Sequence, residues 1–187
     1  AAKVGRNVVW IECNPMLIPH LQMNVSGWGH KCVQACLWNV AGEKRQFHLT
    51  SNDNQSASIV GNLTDESRTK WACFSLQGSE TQGCIELTTT DWSSLLQAHP
   101  GLAHPSLNCL VCDTQGAEYQ ILEGMSRCQP SGLRQFSKLL IECSTKQFYV
   151  GQKLMSDLDL LLAREGFQNC GSFIGDNEHA DVVYCRK

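Results

Sequence analysis

The sequence predicts an α/β fold, with a mostly parallel sheet that ends in antiparallel strands. Strand-like and helix-like segments alternate along the 187 residues, as expected where helices connect the strands of a layered sheet. Two short apolar runs, at 8–11 and 109–112, each end abruptly on a carboxylate, and such sheets bind ligands beyond the ends of their strands. Two strand-like segments, 167–174 and 181–185, end the sequence without a helix between them and predict a hairpin.

The other elements follow from local periodicity and from helix breakers. Pro15 opens a helix-like pattern in which Leu17, Leu21 and Val25 recur at helical spacing. Short β-rich or apolar runs predict further strands at 31–37, 46–50, 84–88 and 139–141. Three more helices are predicted: one that Thr90-Asp91 caps and that runs through Leu96, one over 117–125, and one capped near Ser156 and Asp157 and closed by Gly166.

Composition limits the classes of partner. A chain of this length is expected to form one domain with a sizeable core, and 42% hydrophobic and 18% charged residues are ordinary for a soluble protein. The net charge of −3 gives no electrostatic case for nucleic acid or an anionic membrane as the main partner. No run approaches the roughly 18 apolar residues that a membrane-spanning helix needs.

Eleven cysteines raise the question of disulfides or a metal site. An odd number cannot pair completely within one chain, and most of these cysteines lie inside apolar segments, where free cysteine packs as a small hydrophobe. Cys109 and Cys112 form a CxxC, but residues three apart on a strand point to opposite faces. We therefore expect free thiols, no metal site and a reducing compartment, either the cytoplasm or the interior of an organelle.

Glu12 and Asp113 are the first candidates for a binding site. Each would follow a strand at the same edge of the sheet, where ligands of open α/β sheets bind. An acidic residue in this position commonly accepts hydrogen bonds from ribose hydroxyls, although a lone strand-ending glutamate also caps helices or faces solvent. One carboxylate for ribose and a second near the reactive end would suit a cofactor that contains adenosine.

Several motifs resemble, in the same order, those of the FkbM family of S-adenosylmethionine-dependent methyltransferases. The first is Asp113-Thr-Gln-Gly-Ala-Glu118 followed by Ile121-Leu-Glu-Gly124. Trp10-Ile-Glu-Cys-Asn-Pro15 resembles the ribose-binding strand of the family and the start of its next helix. The remaining matching segments are Cys36-Leu37 with Asn39 and Gly42, the Asn/Ser-rich loop at 51–58, Leu140-Ile-Glu-Cys-Ser144, Gly166-Phe167 and Asp181-Val-Val-Tyr184.

The resemblance implies the Rossmann-like sheet of class I methyltransferases and transfer of a methyl group from S-adenosylmethionine to a hydroxyl of a small molecule or sugar. It implies that Glu12 holds the ribose and that Asn39 lies near the adenine. Asp113 would be the catalytic residue, beside the methionine part of the cofactor or the incoming nucleophile. Gln115 and Glu118 would line the same mouth and contribute to cofactor binding.

The methyl transfer that the resemblance implies needs little acid–base chemistry. S-adenosylmethionine carries an activated methyl group, so the protein mainly has to align the acceptor, and a base is needed only for a poorly acidic hydroxyl. The six histidines are scattered along the sequence, and none is predicted to be that base. The loop at 51–58 would help to cover the substrate side.

One part of the family pattern has no match in this sequence. The first strand of the family and its glycine-rich turn, Asp-x-Gly-Ala-Asn-x-Gly in type, do not occur in residues 1–187. In this sheet type that strand lies between the strand ending on Glu12 and the one ending on Asp113. We therefore expect a single, N-terminally incomplete domain over 1–187 that lacks or borrows its first central strand. A missing N-terminal segment or a protein partner could supply the strand, or the two flanking strands could pair directly.

This gap leaves two functions open at the level of the sequence. The first is an active O-methyltransferase. The second is a catalytically inactive, methyltransferase-like subunit with a structural or interaction role in a larger assembly. A dehydrogenase is disfavoured, because it also requires the glycine turn and because the Asp-x-Gln-Gly-x-Glu signature does not belong to that class.

Overall fold

The computed structural model describes residues 7–50, 56–71, 84–175 and 178–187, in which strands and helices alternate. The strands are β1 (Val9–Glu12), β2 (Lys31–Gln34), β3 (Cys36–Leu37), β4 (Lys44–His48), β5 (Cys84–Thr90), β6 (Cys109–Cys112), β7 (Lys138–Ser144), β8 (Phe167–Gly175) and β9 (His179–Arg186). The helices are α1 (Ile18–Ser26), α2 (Asp65–Trp71), α3 (Trp92–Ala98), α4 (Glu118–Arg127) and α5 (Met155–Arg164). Short 3-10 turns at Pro100–Ala103 and Gly132–Gln135 precede β6 and β7.

The described strands form three hydrogen-bonded groups. β1 pairs in parallel with β2. β5 lies between β3, which is parallel to it, and β4, which is antiparallel. The largest group has the order β6-β7-β9-β8, in which β6 and β7 are parallel and the last two strands form the antiparallel hairpin that the sequence predicts.

Part of the core lies on one face of the four-stranded group. Successive side chains of β7 and β9 point to opposite faces of the sheet. Those that point inward, such as Ile141 and Tyr184, are fully buried together with Leu122 of α4 and Leu162 of α5. A hydrogen bond of 2.8 Å from the Tyr184 hydroxyl to Asp159 Oδ1 joins β9 to α5. Two amphipathic helices therefore cover this face and fix the end of β7 against the start of α4.

The mixed α/β architecture is confirmed, with two local corrections. The single strand predicted over 31–37 is wrong: it breaks at Ala35, and the two pieces pair with different strands, β2 with β1 and β3 with β5. Pro15 does not open α1, because it lies in a turn, and Pro19 occupies the first turn of the helix. Asp91 caps α3 as predicted, since its Oδ1 accepts a hydrogen bond of 2.7 Å from the Ser94 amide.

The edges of β1 and β6 face no strand among the described residues. β1 pairs only with β2 and β6 only with β7, so direct pairing of these two strands, one of the three arrangements considered above, does not occur there. The starts of the two strands are nevertheless close, since Asn7 Nδ2 donates a hydrogen bond of 2.9 Å to Ser106 Oγ. Beside this gap Val111 of β6 is 67% exposed and Trp10 of β1 is 45% exposed, both high values for apolar residues of strands that pair in parallel.

The ten described cysteines are all free thiols, as expected for those residues. Cys109 is exposed and Cys112 is buried, which confirms that the CxxC spans both faces of β6. The prediction that cysteines inside apolar segments are buried is wrong for Cys84 and Cys109. Both are exposed, because strand alternation turns them to the outer face.

Candidate active site

The turn between β6 and α4 is held by a buried carboxylate. Glu118 is only 3% exposed, and its Oε1 accepts hydrogen bonds from the Thr114 amide (2.7 Å), the Thr114 hydroxyl (3.0 Å) and the Gly116 amide (3.3 Å). Gln115 and Gly116 both have positive φ angles, of 56° and 97°, a conformation that side chains other than that of glycine rarely adopt. The bonds to Glu118 compensate this strain and set the direction in which Gln115 points.

Gln115 is the centre of the hydrogen-bond network at this edge. Its Nε2 donates to Asp113 Oδ1 at 2.9 Å and to Glu142 Oε2 at 3.4 Å, so one amide joins the end of β6 to β7. Its Oε1 accepts a hydrogen bond of 2.6 Å from the Tyr149 hydroxyl, and its backbone carbonyl accepts one of 2.7 Å from Ser58 Oγ. The amide is thus fixed on both sides.

Three carboxylates approach one another around this amide. One oxygen from each of Asp113, Glu118 and Glu142 lies within 4.8 Å of the others. Burial, followed by the charges of Asp113 and Glu118, raises the pKa of Glu142 to about 7. Burial also raises the pKa of Glu118, and that of the Tyr149 phenol, so the phenol stays protonated and donates to Gln115. The carboxyl groups are thus close enough for their charges to act on one another, and Glu142 holds its proton up to near neutral pH.

Carboxylate oxygens at this spacing are a donor set that a hard divalent cation can use. The three hydrogen bonds that Glu118 Oε1 accepts already account for its burial without an ion, because they satisfy the carboxylate from the turn itself. The expectation that this protein has no metal site therefore stays a prediction.

His179 completes the network from the opposite strand. Its Nε2 lies 2.7 Å from Oε1 of Glu142, and this contact lowers the pKa of Glu142 against the larger effect of burial. The Glu142 side chain is 14% exposed and that of His179 is 42% exposed, so the pair connects the buried carboxylates to solvent. The ring of His179 also packs edge-on against Phe148, with 6.0 Å between centroids.

Sequence reasoning missed His179 and Tyr149 as site residues. His179 is 37 residues from Glu142, and it reaches the site because β7 and β9 are antiparallel, so that the start of β9 lies at the end of β7. Tyr149 is 34 residues from Gln115 and follows β7 in a loop. The one available signal was Glu142 itself, a second acidic residue near the end of a buried strand.

The structure brings Asp113, Gln115 and Glu118 together as the sequence predicts, but it places Glu12 and Asn39 in other contacts. Glu12 Oε1 accepts a hydrogen bond of 2.7 Å from the Asn14 amide just after β1. Asn39 Nδ2 donates to Glu123 Oε2 of α4 at 2.7 Å. The roles of all five residues in binding or catalysis stay predictions.

Two further features concern the surroundings of the site. Within the loop at 51–58, Ser56 and Ser58 contact the network, since the Ser56 carbonyl accepts a hydrogen bond of 3.3 Å from Tyr149 and Ser58 Oγ donates to the Gln115 carbonyl. Residues 51–55 lie outside the described residues. Beside Glu12, the side-chain nitrogen of Asn14 is a buried donor without a hydrogen-bond partner among the described residues. Arg45 Nε, Trp92 Nε1 and Gln120 Oε1 are likewise buried without a partner among the described residues, so this feature does not by itself mark a ligand site.

Comparison with known proteins gives one match. A family model described as "Methyltransferase FkbM domain" matches residues 2–169. No curated protein and no solved structure shows a significant match to the chain. None of the described helices is both long enough and apolar enough to cross a bilayer.

Proposed function

Because the chain belongs to the FkbM methyltransferase family, we propose that it transfers a methyl group from S-adenosylmethionine to a hydroxyl of a small molecule or sugar. The observation that carries this proposal is the continuous network from Asp113 through Gln115 and Glu142 to His179. It combines fixed negative charge with a side chain that can exchange a proton with solvent.

The residues around the ends of β1 and β6 suit S-adenosylmethionine, which when bound supplies a methyl group on a positively charged sulfur. Glu12, whose carboxylate lies at the end of β1, would offer an acceptor to the ribose hydroxyls. The cluster of carboxylates that contains Asp113 and Glu142 would favour the positive charge on that sulfur. Asn39, held by Glu123, would border the adenine. The glycine-rich turn that approaches the methionine part in the family is the one component without a counterpart in residues 1–187.

The Glu142–His179 pair is suited to receive the proton that an acceptor hydroxyl must lose. Glu142 orients the imidazole through its 2.7 Å hydrogen bond, and the half-exposed ring can reach a substrate that enters from solvent. Asp113, fixed by Gln115, would orient the hydroxyl for attack on the methyl carbon. This assignment replaces the expectation that no histidine serves as a base.

The test is methyl transfer by the full natural protein to a panel of sugars and other hydroxylated metabolites, with radiolabelled S-adenosylmethionine. Asp113→Asn and His179→Gln should each lower the rate of labelling by roughly 10²–10⁴-fold. His20→Gln, at an exposed position of α1, is the matched control and should leave the rate unchanged. If His179→Gln labels its acceptor at the wild-type rate, the assignment of the base is wrong.

A second candidate function is supported by the open strand edges. β1 and β6 each pair on one side only among the described residues. The side chain of Val111, a residue of β6, is largely exposed. Unpaired edges and exposed apolar strand residues favour addition of another strand. We therefore also propose a methyltransferase-like interaction module, in which a strand from a protein partner or from another segment of the encoded protein completes the sheet.

Hydrogen–deuterium exchange separates the sources of this strand. If it belongs to the same polypeptide, the amides of β6 in the isolated full natural protein should exchange as slowly as those of β7. If a partner supplies it, slow exchange should require the purified assembly. Fast exchange at β6 in both samples would mean that no strand is added. Val111→Lys should raise the exchange rate at β6, whereas Val150→Lys, at a comparably exposed residue outside the strands, should not.

A further inference from the structure

A thiol and an imidazole meet where β4 ends and β5 begins. His48 is the last residue of β4, Cys84 is the first of β5, and the two are register partners in this antiparallel pair. Cys84 Sγ lies 3.2 Å from His48 Nδ1, so the two side chains are joined by a hydrogen bond. Cys84 is exposed, and the thiol of the pair is therefore open to reagents in solvent.

The backbone of β4 explains why the two side chains are so close. The His48 amide donates to the Ser58 carbonyl at 2.8 Å, and the His48 carbonyl accepts from the Ser58 amide at 3.1 Å. Both backbone groups of His48 thus point away from β5, so His48 and Cys84 form a non-hydrogen-bonded pair, in which facing side chains approach most closely. Strand register, which main-chain bonds fix, therefore brings the sulfur and the ring together.

The His48 ring is suited to take the thiol proton. Partial burial lowers the pKa of His48, so the imidazole is mostly neutral at neutral pH. In the tautomer that carries its hydrogen on Nε2, the Nδ1 atom that faces the sulfur is an acceptor. A base within hydrogen-bond reach of a cysteine is the arrangement that activates a thiol as a nucleophile.

The surroundings distinguish Cys84 from another exposed thiol of the protein. Glu86 is the next residue of β5 on the same face, and its Oε1 lies 2.7 Å from Lys44 Nζ, so the two charges offset each other. Cys109 is also an exposed strand residue, but among the described residues no histidine lies within hydrogen-bond distance of its sulfur. Exposure alone is therefore common to both thiols, and the imidazole contact is the difference.

We propose that Cys84 is a site of reversible thiol modification, at which His48 takes the thiol proton while the sulfur attacks a disulfide of the glutathione type. A bond forms between Cys84 Sγ and one glutathione sulfur as the sulfur–sulfur bond of glutathione disulfide breaks. The second glutathione leaves with the electron pair as its thiolate and takes the proton from the His48 imidazolium. Cys84 is thereby oxidised to a mixed disulfide, and one glutathione thiol is released; excess glutathione thiol reverses the exchange.

The test is incubation of the full natural protein with glutathione disulfide, with peptide-mass analysis at a series of times. The Cys84 peptide should gain one glutathione faster than the Cys109 peptide by on the order of 10-fold, less than a base contributes in a closed active site, because this pair is open to water. His48→Gln should slow Cys84 to the rate of Cys109, because glutamine accepts a hydrogen bond but does not take the proton. Gln46→Ala, two residues earlier on the same face of β4, is the matched control and should react as the wild type does.

Two further measurements separate a base from other effects of the ring. His48→Ala removes bulk beside the sulfur and should also slow Cys84, whereas faster modification would show that the ring only shields the thiol and would overturn the proposal. Iodoacetamide, which carries no charge, should give the same order of rates. A difference confined to glutathione disulfide would assign the effect to local charge and contradict the role of His48 as a base.

The dependence on the fold gives the last comparison. In urea the rates of Cys84 and Cys109 should converge, because the contact with His48 exists only in the folded chain. A rate advantage of Cys84 that persists in urea would contradict the structural argument, and equal rates of the two thiols in the folded wild type would refute the proposal outright.

Discussion

The Glu142 carboxylate and the His179 imidazole meet across the β7–β9 pair, with 2.7 Å between Oε1 and Nε2. Burial, followed by the charges of Asp113 and Glu118, raises the pKa of Glu142 to about 7. A carboxyl group that holds its proton near neutral pH, bonded to a half-exposed imidazole, is an arrangement suited to proton transfer. It also has consequences for stability that do not depend on knowing the substrate.

The stability of the protein should fall as the pH rises from about 5 to about 7. The folded pKa of Glu142 lies above its ordinary value of 4.5, so the folded state binds more protons than the unfolded state in this range. The contribution is fully present below the unfolded pKa and is lost as the pH rises through the folded pKa. It amounts to on the order of 2–3 kcal/mol, and urea unfolding at a series of pH values measures it.

Glu142→Gln should flatten this pH dependence, since the amide does not titrate and still accepts a hydrogen bond from His179. Glu86→Gln is the control, because Glu86 forms an exposed ion pair with Lys44 and should leave the profile unchanged. An unaltered profile in Glu142→Gln would show that another group is responsible.

Tyr149→Phe should loosen Gln115. The variant removes the 2.6 Å hydrogen bond to Gln115 Oε1 and leaves that acceptor unsatisfied, at a cost of about 1–3 kcal/mol in the free energy of unfolding. If Gln115 positions Asp113, methyl transfer should also slow, with a larger effect on kcat than on KM. Tyr119→Phe is the control on α4, and equal effects of the two substitutions on stability and rate would argue against a specific role of Tyr149.

Gly124→Ala should destabilise the contact between α4 and the segment that carries Asn39. A Cβ at this position would lie 2.7 Å from the Asn39 Cα and 2.9 Å from the Trp38 carbonyl oxygen, and neither backbone atom can move away alone. We expect a loss of about 1–3 kcal/mol, measured by urea unfolding. Gly27→Ala has open space around its Cβ and should change stability little, and a comparable loss in both variants would refute the steric argument.

Arg186→Lys should destabilise the junction between β9 and the rest of the core. The guanidinium donates to three backbone carbonyls, those of Leu133 (2.6 Å), Phe136 (3.0 Å) and Glu165 (3.1 Å), and stacks 4.3 Å from the Phe167 ring centroid. Lysine cannot reproduce this planar set of donors, so the unfolding free energy should fall by about 1–3 kcal/mol. Arg134→Lys, at an exposed position, should be neutral, and wild-type stability in Arg186→Lys would contradict the prediction.

The local part of the site could be predicted from the sequence, whereas its long-range part could not. Asp113, Gln115 and Glu118 lie within six residues, and the turn between a strand and a helix brings them together whatever the rest of the chain does. Tyr149 and His179 reach the same place only because β7 is antiparallel to β9 and because a loop folds back over the turn. No local pattern encodes that geometry.

The same distinction explains the fold. Four helices and the final hairpin follow from capping, periodicity and strand alternation, so α1, α3, α4, α5 and the hairpin are found close to the predicted positions, whereas α2 (Asp65–Trp71) was not predicted. The break at Ala35 depends on β5 offering an edge to Cys36 and Leu37, about 50 residues further along the chain, and was therefore missed. The exposure of Cys109 likewise depends on what covers the outer face of β6, which strand propensity does not specify.

Calorimetric titration of the full natural protein with S-adenosylhomocysteine tests the central claim most directly. We predict saturable binding, weakened roughly 10-fold or more in Glu12→Gln through loss of a charged hydrogen-bond acceptor and unchanged in Glu86→Gln. Glutamine can still accept the hydrogen bond from the Asn14 amide, so the variant should remain folded. Absence of binding by the folded wild type would contradict the proposal that this protein uses S-adenosylmethionine.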